Sequence, residues 1–223
     1  MWRLKLAILI GGGVLAFMGF QEMRLAQGAD AEPAALTLEA IEQGVEVDNA
    51  HVILSEYIGV TDELIYYCTT SKYSQEIKET TKVDYTYTPL VSENHPFINK
   101  FIEVLNKYPE GEEVPESEYP KLNEFTVLLK SKRYETVADL PYEYLQDETA
   151  QGIFINKIES LDGEELNLLQ GSFPDLDFDQ VLILEEGREP ASAGSFIGMM
   201  AGGVVLSILG LIWFFAGFVS KEG

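Results

Sequence analysis

The sequence predicts an α+β domain, with a mainly antiparallel sheet or small barrel and short helices, flanked by an N-terminal and a C-terminal transmembrane helix. Three observations predict it. Two uncharged stretches, Leu6–Gln21 and Ala191–Ser220, lie near the two ends of the 223-residue chain. The formal charge of -22, from 15 Lys and Arg against 37 Asp and Glu, belongs to the segment between them. Arg3, Lys5, Lys221 and Glu222 sum to +2, which leaves -24 on that segment. Within it, alternating strand-like runs outnumber helical ones and are not regularly interleaved with them.

The division this implies is 1–24 as an N-terminal anchor, 25–190 as one acidic α+β domain, and 191–223 as a second span with a short tail. Phe196–Val219 is 24 residues. At ~1.5 Å per residue that makes roughly 36 Å of helix, enough for a hydrocarbon core of ~30 Å. The N-terminal run is shorter. Arg3 and Lys5 followed by Leu6–Phe20 fit a retained anchor, and they also fit a secretory signal peptide with a small-residue cleavage site near Ala26–Ala29. Glu22 and Arg24 inside the intervening region favour the anchor.

Between the spans, Gln27–Ala35 reads as a linker and Thr37–Gln43 as a short helix stopped by Gly44. Strand-like runs follow at Ala50–Tyr57, Leu64–Thr70 and Val83–Val91; the last alternates Val83, Tyr85 and Tyr87 with Asp84, Thr86 and Thr88. Asn94-His-Pro opens a helix whose apolar stripe is Phe97, Phe101, Ile102, Val104 and Leu105. Glu110–Glu118, with five glutamates, reads as a solvated loop. Phe125–Ser131 is a strand, Thr136–Leu145 a short helix, Gly152–Ile158 a strand, Asp162–Gln170 a helix closed by Gly171, and Val181–Leu184 a short strand.

Small residues recur on both spans at helix-packing spacing: Gly12 and Ala16 on the first, and Gly194, Gly198 and Gly202 on the second. Such faces let helix backbones approach closely in lipid. They predict that the spans pack on each other, on a second copy or on other membrane subunits. The bilayer itself is the first expected partner. Nucleic acid is excluded, because -24 repels a phosphate backbone.

Reactive groups are few. Two histidines, His51 and His95, and one cysteine, Cys68, rule out a disulfide framework and a multi-cysteine metal site. A Cys68–His51 nucleophile pair is one catalytic option, set against a core cysteine and structural histidines. Asp175, Asp177 and Asp179, with Glu186 eleven residues after Asp175, echo a calcium loop. The glycine that such a loop needs at its sixth position is Gln180, so an ordinary strand approach competes with calcium there. The basic trio Lys130, Lys132 and Arg133 is expected to pair with the glutamate loop or to meet lipid headgroups. No cofactor is called for.

One resemblance spans much of the chain. Asn49–Val52, Tyr87–Leu90, Val127–Arg133, Gly152–Ile155, Glu164–Asp175 and Leu184–Pro190, in this order ahead of a membrane helix, are similar to a group of two-pass bacterial membrane proteins with no assigned activity. The resemblance implies a bacterial inner-membrane protein. The positive-inside rule then puts both termini in the cytoplasm and the acidic domain in the periplasm. The expected function is a non-enzymatic module or accessory subunit whose domain binds or positions partners in a membrane complex. The alternative is an envelope hydrolase or metal-dependent enzyme using Asp175, Asp177 and Asp179, or Cys68 and His51.

Overall fold

The apolar stretch near each end of the chain is helical. In the computed structural model, which describes residues 2–68, 76–108, 114–141, 144–147, 149–157, 161 and 163–219, α1 runs Trp2–Gly28 and α5 runs Ala193–Val219. Helix α1 continues beyond the uncharged stretch through Glu22 and Arg24, both good helix formers. Both helices are long and apolar enough to cross a membrane. The chain divides into two units: Met1–Ala31 with Pro190–Gly223, and Glu32–Glu189.

The second unit contains β1 (Ala34–Thr37), α2 (Leu38–Glu42), β2 (His51–Ser55), β3 (Ile58–Gly59), β4 (Ile65–Tyr67), β5 (Tyr85–Val91), α3 (Pro96–Lys107), β6 (Val127–Ser131), β7 (Thr149–Phe154), α4 (Gly163–Ser172) and β8 (Leu182–Glu186). One sheet joins the strands in the order β1-β2-β7-β8-β6-β5-β3, with β4 also on β5. The α+β class is therefore as the sequence predicts. The sheet is mixed: β1·β2 and β6·β8 are parallel, and the five other pairings are antiparallel.

The central strands carry the core. Val127, Leu128 and Leu129 of β6 are all buried, as are Ile183 and Leu184 of β8, so these strands are covered on both faces and read as continuous apolar runs. Farther out, Val52 and Leu54 of β2 and Ile153 and Phe154 of β7 extend the same core. Ala34, Val52, Gly152 and Glu186 fall in one row across β1, β2, β7 and β8, so the first strand begins in the row where the last one ends.

Local chemistry sets the element ends. Thr37 caps α2 by accepting from the Ala40 N–H at 3.3 Å, and Gly44, at φ 84°, takes the left-handed turn that follows. His95 caps α3: its Nδ1 accepts from the Phe97 N–H at 3.2 Å, and Pro96 occupies the first turn, where it forfeits no hydrogen bond. Asn156 ends β7 by supplying side-chain hydrogen bonds to β8, donating to the Val181 carbonyl at 2.5 Å and accepting from the Ile183 N–H at 2.9 Å.

The structure departs from the sequence reading in four places, the first being that α4 runs through Gly171 to Ser172 and is not closed by that glycine. The linker Gln27–Ala35 already contains the start of β1. The expected helix Thr136–Leu145 is a single 3-10 turn, Val137–Asp139, held by a reciprocal Thr136–Asp139 cap; Pro141 cannot donate the next helical hydrogen bond. Gly152–Ile158 is strand only to Phe154, and a tight turn at Ile155–Lys157 follows. Thr69, Thr70, Ile158, Asp162, Ser220, Lys221 and the first three glutamates of the Glu110–Glu118 run lie outside the described residues.

Two predictions follow from these contacts. A Cβ at Gly152 would collide with the Glu185 carbonyl group and crowd the Glu186 Cα at 3.2 Å. Gly152→Ala should lower stability by about 3 kcal/mol or more, the upper range for a small-to-large core change; an unchanged urea midpoint would refute the close approach. His95 is held below its ordinary pKa, first by burial, with Glu42 and Glu124 opposing. The fold thus favours the neutral ring. The stability from His95 is complete above about pH 6.5 and is lost as pH falls through the depressed folded value. His95→Asn, which keeps a cap acceptor, should flatten the decline in stability between pH 7 and 5; a slope equal to wild type would remove His95 from it.

Candidate functional site

The two apolar helices form an antiparallel pair built from very small side chains. A Cβ on Gly12 would meet the Ser207 nitrogen at 2.6 Å and the Gly203 carbonyl oxygen at 2.7 Å. One on Gly19 would meet Met200 N at 2.8 Å and Phe196 O at 2.9 Å, and one on Gly203 would strike the backbone of Ala16. Backbone therefore touches backbone along Gly12, Ala16 and Gly19 on α1 and Gly203, Ser207 and Gly210 on α5. Both sets step by four and then three residues, which keeps them on one helix face. The Ser207 hydroxyl donates to the Leu9 carbonyl at 3.4 Å. Nearer the end of α5, Lys5 donates to the Trp213 carbonyl at 2.6 Å and stands 5.3 Å from its ring.

Of the packing residues expected from sequence, Gly12 and Ala16 lie in this contact. Gly194, Gly198 and Gly202 do not: a Cβ on any of them would meet nothing within 4 Å. Ser207 and Gly210, small residues that the sequence also offers beside that repeat, do lie in the contact; Gly19 and Gly203 were missed, though the same four-then-three spacing of small residues on both helices made them legible.

Within residues 32–189, polar side chains concentrate where β6 and β8 end. On one sheet face, Glu165 of α4 is buried against the Lys130 ammonium and the Tyr87 hydroxyl, and its carboxylate accepts from both. Burial, and after it the Glu185 charge, push the Glu165 carboxyl above the usual range. Lys130 also sits 4.7 Å from the Tyr85 ring centre, and Tyr85 stacks on Tyr67 at 5.0 Å. A buried pair of this kind contributes little net stability, yet removing one partner typically costs ~3–5 kcal/mol, because the other is left uncompensated.

On the opposite face, Arg133 binds Glu186 through two nitrogens and donates to Asp147 at 2.6 Å. Ser131 donates to Glu186 at 2.5 Å. Burial opposes the Arg133 charge, but its hydrogen bonds to Glu186 and Asp147 outweigh that and raise its pKa. Tyr57 packs nearby with its hydroxyl buried and unpartnered, and burial followed by the Asp147 charge pushes its pKa up to about 12. Glu185, on the Lys130 side of the sheet, pairs with Lys132 at 3.8 Å. The basic trio is thus neutralised by Glu165, Glu185, Glu186 and Asp147, and not by the described part of the glutamate loop.

The residues considered for catalysis are dispersed. Cys68 follows β4 and His51 begins β2, and four strands lie between them in the sheet. Five strand spacings amount to roughly 24 Å measured along the sheet. His51 is buried, with its Nε2 3.2 Å from the Gln151 side-chain nitrogen. Asp177 caps its own turn, accepting from Asp179 N and the Gln180 side chain at 3.1 Å each. Glu186 is engaged by Arg133 and Ser131, away from Asp175, Asp177 and Asp179 in role. Among the described residues no group of three or more His, Cys, Asp and Glu side chains is gathered as metal ligands.

No family model, no curated protein and no solved structure matches the chain. Its function is therefore argued from its own geometry. The arrangement offers charge pairing and packing, with no nucleophile placed beside a base among the groups described above.

The helix pair makes a direct prediction. A Cβ at position 210 would lie 3.3 Å from the Leu9 Cβ, close to disulfide spacing. In a Cys68→Ser background, Leu9→Cys with Gly210→Cys should cross-link under mild oxidation, while Leu9→Cys with Leu211→Cys should not. Equal yields from both pairs would disprove this helix face.

Proposed function

We propose that this chain is a two-pass membrane protein whose residues 32–189 form a non-catalytic module that binds or positions partners in a membrane complex. The observation that carries this reading is the outward surface of the helix pair. Among the described residues, seven large apolar side chains on α1 and nine on α5 are exposed, including Phe17, Met18, Val205, Leu209 and Ile212. Only 11% of the most apolar window of either helix is buried. At roughly 1 kcal/mol for each half-exposed side chain, leaving them in water would cost about 16 kcal/mol, more than the whole stability of a typical domain. Lipid removes that cost.

The rest of the reading builds on this. Arg3 and Lys5 lie in the first turns of α1, ahead of its uncharged stretch, so the positive-inside rule favours cytoplasmic ends, an extracytoplasmic module and, in a bacterium, the inner membrane. The open face of Gly194, Gly198 and Gly202 remains available to a helix of another subunit or of a second copy.

Two experiments test the proposal. In a Cys68→Ser, Glu124→Cys chain, a membrane-impermeant maleimide should label intact spheroplasts; labelling only after lysis would reverse the orientation. Purification in a mild detergent should retain a membrane partner that Gly198→Ile loses. Elution of the wild-type chain alone would sink the complex reading.

A further inference from the structure

Helix α3 is amphipathic, but its apolar stripe is wider than the core can cover. Phe97, Ile98 and Val104 are buried, whereas Ile102 is 49% exposed and Leu105 44%. Beside them Phe101, half-buried, holds the Tyr119 ring at 5.9 Å and the Tyr144 ring at 5.6 Å, and both tyrosines are exposed. Leu105 lies one turn beyond Phe101 on the same side, and Ile102 is three residues before Leu105. The result is one patch of two aliphatic side chains and three aromatic rings drawn from three separate segments. Scattered apolar residues on a surface carry no message, but a contiguous aromatic–aliphatic patch has the composition of an interface centre.

The charge around the patch selects its occupant. Glu103 follows Ile102, Glu118 precedes Tyr119, and Asp62, with Glu63 beside it, lies near Tyr144; Lys100 and Lys107 share α3 with the patch, and Lys121 lies near Glu63. Asp62 is close enough to Tyr144 to add to the rise in the tyrosine pKa that burial begins. Beyond the rim, residues 32–189 hold 34 Asp and Glu against 11 Lys and Arg, a net -23. Such a field repels an anionic bilayer surface and a second copy of the chain, and it draws in cations.

We infer that the exposed face of α3, with Tyr119 and Tyr144, is the docking surface for a cationic, apolar-anchored segment of a partner protein. The apolar side chains of that segment cover Ile102, Leu105 and the three rings, and its basic residues meet the acidic rim. The affinity resides in the patch, and the field sets the rate of encounter and its dependence on salt.

The inference rests on the reading of residues 32–189 as a partner-binding module and names the surface it uses. The test employs the full chain in phosphatidylcholine nanodiscs, with a fluorescent 14-residue amphipathic Lys/Leu helix as the probe and binding to empty discs subtracted. Anisotropy should report binding that weakens as salt rises. Ile102→Glu with Leu105→Glu should weaken it about tenfold or more, the loss expected of interface-centre residues. These are surface changes, so an unaltered melting temperature should accompany the loss. A Lys-only peptide of equal length should bind at least about tenfold more weakly. The inference falls if the probe binds no better than to empty discs, if the double variant binds equally well, or if the Lys-only peptide matches the probe. A chain that fails here yet still co-purifies with a membrane partner would lose this surface and keep the module reading; failure of both would remove both.

Discussion

The arrangement of residues 32–189 depends on the parallel pairing of β6 with β8, the two strands covered on both faces. Because both are buried, neither can carry a charge along its middle, where transfer out of water would cost several kcal/mol per ion. Charge therefore gathers at the strand ends, at Lys130 and Ser131 on β6 and at Glu185 and Glu186 on β8. Successive residues on a strand point to opposite faces, so Lys130 meets Glu165 and the tyrosines on the side that Glu185 shares, while Ser131 and Glu186 meet on the other, where Arg133 joins Glu186 to Asp147. One register fixes both polar networks.

That register also explains what was legible in the sequence. Elements with local signatures were readable: α2 from Thr37 and Gly44, α3 from His95-Pro96 and its stripe, and β5 from its alternation. The parallel pairs were not. Val127, Leu128 and Leu129 form a run with no period, and their partner Leu182–Glu186 lies some fifty residues on. Nothing local distinguishes a parallel neighbour from an antiparallel one. Strand β1 was hidden for a related reason: Ala34-Ala35-Leu36-Thr37 has little strand propensity and is recruited by β2.

The same division holds for the candidate sites. Gly194, Gly198 and Gly202 drew attention because a strict four-residue repeat is conspicuous. The face that packs on α1 instead uses Gly203, Ser207 and Gly210, whose spacing has meaning only beside Gly12, Ala16 and Gly19. Lys130, Lys132 and Arg133 were visible as a basic cluster, but their partners on α4, on β8 and at Asp147 are set by tertiary pairing. Pairing of this kind is a relation between distant segments, and composition alone does not carry it.

The row that joins Ala34, Val52, Gly152 and Glu186 has a thermodynamic consequence. Three strand spacings put the two ends of the folded unit about 14 Å apart. Unfolded, the same unit is a loop of roughly 160 residues between α1 and α5; folded, it acts as a connector about one-tenth as long. Loop-closure entropy scales with the logarithm of length, so folding of the unit should favour helix pairing by about 2 kcal/mol. By reciprocity, pairing of the helices favours folding of the unit by the same amount. The two parts of the chain can thus stabilise each other through their connectivity alone, as a staple does for two sheets it does not itself bond.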